Sequence, residues 1–293
     1  MRDRENDVYL PGFKIPDNIE ISHDLARCLD GAETVLSVIP SHLVRSLYQQ
    51  MVPFLAKSVC LVSATKGLEN GSLLRSSEII RQVLEAAGFE PRIAVISGPT
   101  FAREVARFEP TALVVASTDQ KLAEAVQTQL SSATFRLYSS PDPIGVEIGG
   151  SIKNVVAIGA GVLHGMGLGH NAMAALITRG LAEMTRLAVA LGGRPQTLAG
   201  LAGLGDLVLT CTGDLSRNRT VGVELARGRR LEEIVSSMKM VAEGIKTTNA
   251  AVDLANRFSV EMPIADQMFQ MLHFGIPPQD AIQRLMERSL KEE

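Results

Sequence analysis

The chain has 293 residues, 46% of them hydrophobic and 21% charged, and a formal net charge of -3. That length and composition give one or two domains with a sizeable core and exclude global disorder. The slight acidity supplies no basic field for a nucleic-acid backbone, so nucleic acid is not an expected partner.

The opening Met1-Arg2-Asp3-Arg4-Glu5-Asn6 is no signal peptide. Residues 1–22 read as a polar lead-in through Tyr9-Leu10-Pro11-Gly12, followed by a helical stretch from His23 to Ala32. Val35-Leu36-Ser37-Val38-Ile39-Pro40 reads as a mid-sheet strand. Leu43, Leu47, Met51 and Leu55 then recur at near-helical spacing. A second strand, residues 59–65, runs into Lys66-Gly67, and a helix over Leu73–Ala87 closes at Gly88. Residues 93–97, 111–116 and 135–138 are further strands. Strands alternating with helices predict a Rossmann-like α/β unit, a doubly wound parallel sheet. No G-x-G-x-x-G after a strand lies upstream, and that turn is where a dinucleotide pyrophosphate normally rests on a helix N-terminus.

The pattern changes after Pro141-Asp142-Pro143, beyond which the signals are helical. The expected division is a dinucleotide-binding unit over 1–141 and an all-α unit over 142–293. Asn154 to Ile177 lacks Asp, Glu, Lys and Arg, yet five glycines, His164, His170 and Asn171 interrupt it. A buried helix pair is the better reading than a membrane span. Gly165-Met166-Gly167-Leu168-Gly169-His170 follows a helix rather than a strand and reads as an interhelical loop. Cys28, Cys60 and Cys211 are widely spaced and have no metal-like pattern, which fits reduced thiols.

Four short strings can carry chemistry. Lys153 lies off the apolar stripe of Ile148, Ile152, Val155, Val156 and Gly159 in the predicted helix 144–164. Ala157, Ala160 and Gly161 leave room beside it. A buried lysine there would lose its proton easily and act as a general base. The alternative is a lysine snorkelling to water, and spacing alone favours it. Lys66, Gly98 and Thr100 follow strands at the carboxyl edge, where ligands of open α/β sheets bind. Lys66 could equally be a solvated loop residue and Thr100 a helix cap. Asp206 and Thr210 share a helix face and could hold hydroxyl groups, although Asp206 also suits an N-cap. Ser216, Arg217 and Asn218 open another helix and suit a phosphate dianion, or a charged surface cap.

In order along the chain stand Thr65-Lys66-Gly67-Leu68-Glu69, Ser97-Gly98-Pro99-Thr100-Phe101-Ala102, Gly149-Gly150-Ser151-Ile152-Lys153-Asn154, Gly203-Leu204-Gly205-Asp206-Leu207 and Ser216-Arg217-Asn218-Arg219. Together they resemble the bacterial NAD(P)-dependent glycerol-3-phosphate dehydrogenase family. The resemblance runs from about Arg2 to the C-terminus and includes Tyr9-Leu10-Pro11-Gly12 and Val241-Ala242-Glu243-Gly244. It implies cytoplasmic interconversion of sn-glycerol 3-phosphate and dihydroxyacetone phosphate for glycerophospholipid synthesis, with NAD or NADP as cofactor. It implies Lys153 as proton acceptor from the C2 hydroxyl. Substrate binding would fall to Lys66, Gly98, Thr100, Lys153, Asp206, Thr210, Ser216, Arg217 and Asn218. Tyr9, Lys66, Ala102, Arg217, Val241 and Glu243 would line the cofactor. No stable membrane insertion is implied, and a homodimer is.

Family members begin with a strand, the glycine-rich turn, a helix and a second strand, all of which are expected to be missing here. A start placed too far downstream or a shortened protein would each account for that. Two other functions fit the same residues: an inactive remnant serving as a binding or assembly module, and a related 3-hydroxyacid or ketopantoate-type reductase. The Ser216-Arg217-Asn218 cluster argues for a phosphate and against the latter.

Overall fold

The computed structural model describes residues 4–238, 242–290 and 292. The lead-in contains a hairpin of β1 (Glu5–Asn6) and β2 (Leu10–Lys14) that the polar composition did not reveal. Next come α1 (Leu25–Leu29), β3 (Thr34–Ser37), α2 (Val44–Met51), β4 (Cys60–Ser63), α3 (Ser76–Ala86), β5 (Arg92–Ser97) and α4 (Ala102–Ala106). The sheet is completed by β6 (Thr111–Ala116), α5 (Gln120–Leu130) and β7 (Phe135–Ser140).

The five strands stand side by side in chain order, β3-β4-β5-β6-β7. β3 is parallel to β4, and β4 to β5; β6 and β7 are parallel to each other but antiparallel to β5. The Rossmann-like arrangement therefore carries one reversed pair of strands, which apolar composition cannot reveal because it fixes burial and not direction. Among the described residues β3 pairs only with β4, and it lies at an edge rather than mid-sheet, with Leu36 and Val38 exposed. Successive side chains point to opposite faces. Leu61 and Ile93 pack with Tyr48, Ile80 and Leu84 of α2 and α3. Cys60, Val62, Ala94 and Ile96 meet Leu122 and Val126 of α5 on the other face.

From Pro143 onward the described elements are helical: α6 (Pro143–Gly165), α7 (His170–Ala190), α8 (Pro195–Leu198), a π-helical turn (Leu201–Gly205), α9 (Asp206–Thr212) and α10 (Arg217–Ala226). They continue as α11 (Leu231–Ser237), α12 (Glu243–Arg257), α13 (Pro263–Phe274) and α14 (Pro278–Met286). Asp142 starts α6 by accepting from Gly145 N at 2.8 Å, and its other oxygen accepts from Arg194 N and Thr197 Oγ1. α6 is long and apolar enough to cross a membrane, but it is buried inside the protein, wrapped by α7, α9, α10, α12 and α13. Two glycines let α10 touch it: a Cβ on Gly161 would sit 1.9 Å from Arg219 O, and one on Gly222 would sit 1.9 Å from Ile158 O. This close crossing sets the start of α10 beside the polar turn of α6.

Candidate active site

Lys66 follows β4, Gly98 and Thr100 follow β5, and α6 runs beneath both strand ends. Lys153 does not snorkel. Its side chain is 7% exposed, and Nζ donates to Asp206 Oδ1 at 2.6 Å and to Thr210 Oγ1 at 2.7 Å. Thr210 Oγ1 in turn donates to Asp206 O at 2.6 Å, one helical turn back in α9. Lys66 Nζ donates to Asp206 Oδ2 at 2.7 Å and to Gly98 O at 3.0 Å. One buried carboxylate therefore bridges two amines. Asp206 is not the N-cap of α9: Gly205 holds that position and makes no side-chain cap bond. The π-helical turn just before it offsets α9 so that residue 206 faces inward, a distortion that often marks functional sites.

A single carboxylate balances one ammonium. Of the two amines, Lys153 is the more deeply buried. Burial, reinforced by the Lys66 charge and opposed by Asp206, pulls the Lys153 ammonium down to about 8 from 10.5. Cys211, also in α9, is driven the other way by burial, up to about 12, and is an inert thiol.

Gly98 has φ +151, and a Cβ there would lie 3.0 Å from Leu113 Cα, so the strand end requires glycine. Thr100 Oγ1 donates to Gly98 O at 3.3 Å, while Phe101 is the N-cap residue of α4. Thr100 is thus not the cap of that helix. Ser216 is the N-cap of α10, accepting from Arg219 N at 3.3 Å. Arg217 follows it, exposed to solvent. Asn218 is buried, donating to Asn154 Oδ1 at 2.9 Å and accepting from Gly244 N at 2.9 Å. The start of α10 is therefore tied to the turn of α6 that bears Lys153.

On the cofactor side, Ala102 is the exposed first residue of α4, against which β2 packs. Tyr9 sits 54% exposed on the β1–β2 turn, where its N donates to Asn6 Oδ1 at 3.1 Å. Glu243 opens α12, and its Oε2 accepts from Ser41 Oγ at 2.7 Å, closing over Gly67. Val241 lies outside the described residues.

Three site residues escaped sequence reasoning. Ser41 follows the carboxyl end of β3, the edge where ligands bind in such sheets, and that position was its signal. Ser151 and Asn154 stand within the same short string as Lys153, where a lysine in an apolar helix is the stronger signal. Two buried hydroxyls at the strand ends, Thr65 Oγ1 and Ser97 Oγ, have no hydrogen-bond partner among the described residues. They are orphaned polar atoms beside Lys66 that would suit a polar ligand such as a nicotinamide nucleotide, which Lys66, Ala102, Arg217 and Glu243 would hold.

The NAD-dependent glycerol-3-phosphate dehydrogenase N-terminus model matches residues 1–123, and the corresponding C-terminus model matches residues 142–283. A glycerol-3-phosphate dehydrogenase (NAD(P)+) of Koribacter versatilis is 56% identical over 97% of this chain and 85% of its own. One from Geobacter sp. is 51% identical over 100% of this chain and 88% of its own. The crystal structure of glycerol-3-phosphate dehydrogenase from Coxiella burnetii superposes with a TM-score of 0.93 at 39% identity, covering 98% of this chain and 87% of that one.

Proposed function

The chain belongs to the NAD-dependent glycerol-3-phosphate dehydrogenase family, and we propose that it oxidises sn-glycerol 3-phosphate reversibly at C2 with Lys153 as the proton acceptor. It is an oxidoreductase that uses NAD or NADP. NAD or NADP, held at that site, would supply the hydride acceptor for C2 and, in the reverse direction, the hydride donor to dihydroxyacetone phosphate. The remaining work falls to side chains of the chain itself. We place the division between the two units at 141/142 and the reaction in the cytoplasm, upstream of glycerophospholipid synthesis.

The observation that carries this reading is the hydrogen-bond inventory of Lys153. A neutral amine has two hydrogens and one lone pair. Asp206 Oδ1 and Thr210 Oγ1 take the two hydrogens, so the lone pair is left for the C2 hydroxyl proton. As that proton transfers, Lys153 becomes an ammonium beside Asp206, and the carboxylate stabilises the charge that forms. Lys66 keeps a positive charge near the C2 oxygen and favours its alkoxide character, an electrostatic effect commonly worth several kcal/mol. In the reducing direction the Lys153 ammonium gives its proton back to that oxygen.

Arg217 has a free guanidinium fork, and the first turn of α10 has unsatisfied amide groups, so the phosphate binds there. Asn218 and Ser216 hold that turn in register with α6. Binding the remote phosphate turns the C2 proton transfer into an oriented, effectively unimolecular step. The reading is tested by initial rates of sn-glycerol 3-phosphate oxidation with NAD+ and with NADP+ by the full-length protein. Turnover with either cofactor is expected. Absence of turnover with both, by protein that is folded, overturns it.

A further inference from the structure

The segment that bears Lys66 is not held by the sheet alone. After β4 the chain leaves at Lys66-Gly67 and returns at Arg75, where a bridge with Leu68 closes a loop. That loop is fastened to α6 at both ends. At its start, Gly67 N donates to Ser151 Oγ at 3.0 Å, and Ser151 Oγ donates to Glu147 O at 2.7 Å. At its end, Arg75 Nη1 and Ser77 Oγ each reach Glu147 Oε2 at 2.6 Å, and Ser77 N donates to Glu147 Oε1 at 2.8 Å. Between them Leu68, 2% exposed, packs into the helical core.

Glu147, Ser151 and Lys153 belong to the same helix. Glu147 and Ser151 are four apart and face the loop, while Lys153 faces α9. A carboxylate as buried as Glu147 is costly to keep without partners, and among the described residues its side-chain partners are Arg75 at the end of this loop and Ser77 in the first turn of α3. We propose that Glu147 and Ser151 are positioning residues through which α6 itself sets the distance between the Lys66 and Lys153 amines. The inference rests on the reading of Lys153 as proton acceptor.

Among the described residues, few charged and titratable groups surround Lys153. Lys66 faces it from the loop, and Asp206 and Cys211 face it from α9. Arg219 of α10 is felt by Cys211, Glu183 of α7 turns to the amides of α13, and Glu243 of α12 turns to Ser41. Lys66 is thus the ammonium whose placement α6 controls through this loop. Releasing it moves positive charge away from Lys153, which then holds its proton to higher pH.

The test is the pH profile of sn-glycerol 3-phosphate oxidation for wild type and Ser151→Ala. The variant is expected to need roughly half a pH unit more alkali to reach half-maximal kcat, which lowers kcat on the acid limb about threefold. A residue that only stabilises the fold would lower the melting temperature and leave that midpoint alone. A folded variant with wild-type midpoint and kcat overturns the proposal. Should Ser151→Ala fail to fold, Ser77→Ala decides, because Ser77 is less buried and removes one bond from Glu147. A smaller shift in the same direction supports the proposal, and an unmoved midpoint overturns it. An inactive wild type would instead refute the reading of Lys153 itself.

Discussion

Asp206→Asn gives the sharpest test of how the two amines divide their charge. With its ammonium pulled down to about 8, Lys153 is neutral in about one molecule in ten at pH 7. At the ordinary value of 10.5 it would be neutral in about one in three thousand, so the site raises the competent fraction roughly 300-fold. Burial and Lys66 lower the ammonium, and Asp206 works against them. Replacing the carboxylate by an amide of the same shape removes the opposing charge, so Lys153 should lose its proton at lower pH. The plateau rate should fall, by roughly 10- to 100-fold, because the ammonium formed on proton transfer loses its balancing charge. The acid limb should nevertheless move toward acid by about one unit, so the variant's deficit is smallest at low pH. The assay is kcat for sn-glycerol 3-phosphate oxidation from about pH 6 to about pH 10, with C2-deuterated substrate confirming that hydride transfer limits the rate. A limb that stays in place or moves toward alkali would refute the charge balance described here.

Arg217→Ala should raise KM for the phosphorylated substrate by roughly 10- to 150-fold, the worth of one charged hydrogen-bonding partner, and an equal loss with unphosphorylated glycerol would contradict the phosphate role. Gly161→Ala would push a methyl into Arg219 O, and urea unfolding should register at least about 2 kcal/mol of lost stability; an unchanged midpoint would mean that α6 and α10 are farther apart than described. Glu183 concerns stability rather than catalysis. It accepts from Ile264 N and Ala265 N at the start of α13, and burial raises its carboxyl to about 7 from 4.5. The folded protein thus holds a proton there that the unfolded chain releases above about pH 4.5, so this group's contribution to stability falls as pH rises from 4.5 to about 7 and is flat above. The loss is up to about 3 kcal/mol, seen as a difference in urea midpoints between wild type and Glu183→Gln, and parallel pH profiles would contradict it.

The parts of this protein that were readable in its sequence are those governed by local pattern. β4 and β5 are continuous apolar runs, and α6 is a long apolar helix with an isolated lysine. Gly88, expected to close α3, has φ +73 immediately after that helix. The order of the five short strings also carries the family. What stayed hidden depends on partners distant in sequence. Nothing in Asp206-Leu207-Val208-Leu209-Thr210 says that a π-helical turn will rotate the aspartate off the cap position and onto two amines. Lys153 read alone was a snorkelling residue, and its burial follows only from the wrapping of α6 by five helices. The direction of β6 and the edge position of β3 are properties of pairing, which side-chain periodicity does not encode. The hairpin at Glu5–Lys14 is hidden because its apolar residues, Val8, Tyr9, Leu10 and Phe13, are bunched around Pro11-Gly12 and exposed or half-buried, so they give no clean alternation.

The most direct measurement is single-turnover hydride transfer from sn-glycerol 3-phosphate by wild type and Lys153→Met across the same pH range. Methionine fills the buried space without an amine. The predicted result is a fall of roughly 10²–10⁴ in rate and loss of the limb near pH 8. A folded Lys153→Met protein that keeps the wild-type rate and the same limb would show that the proton leaves by another group.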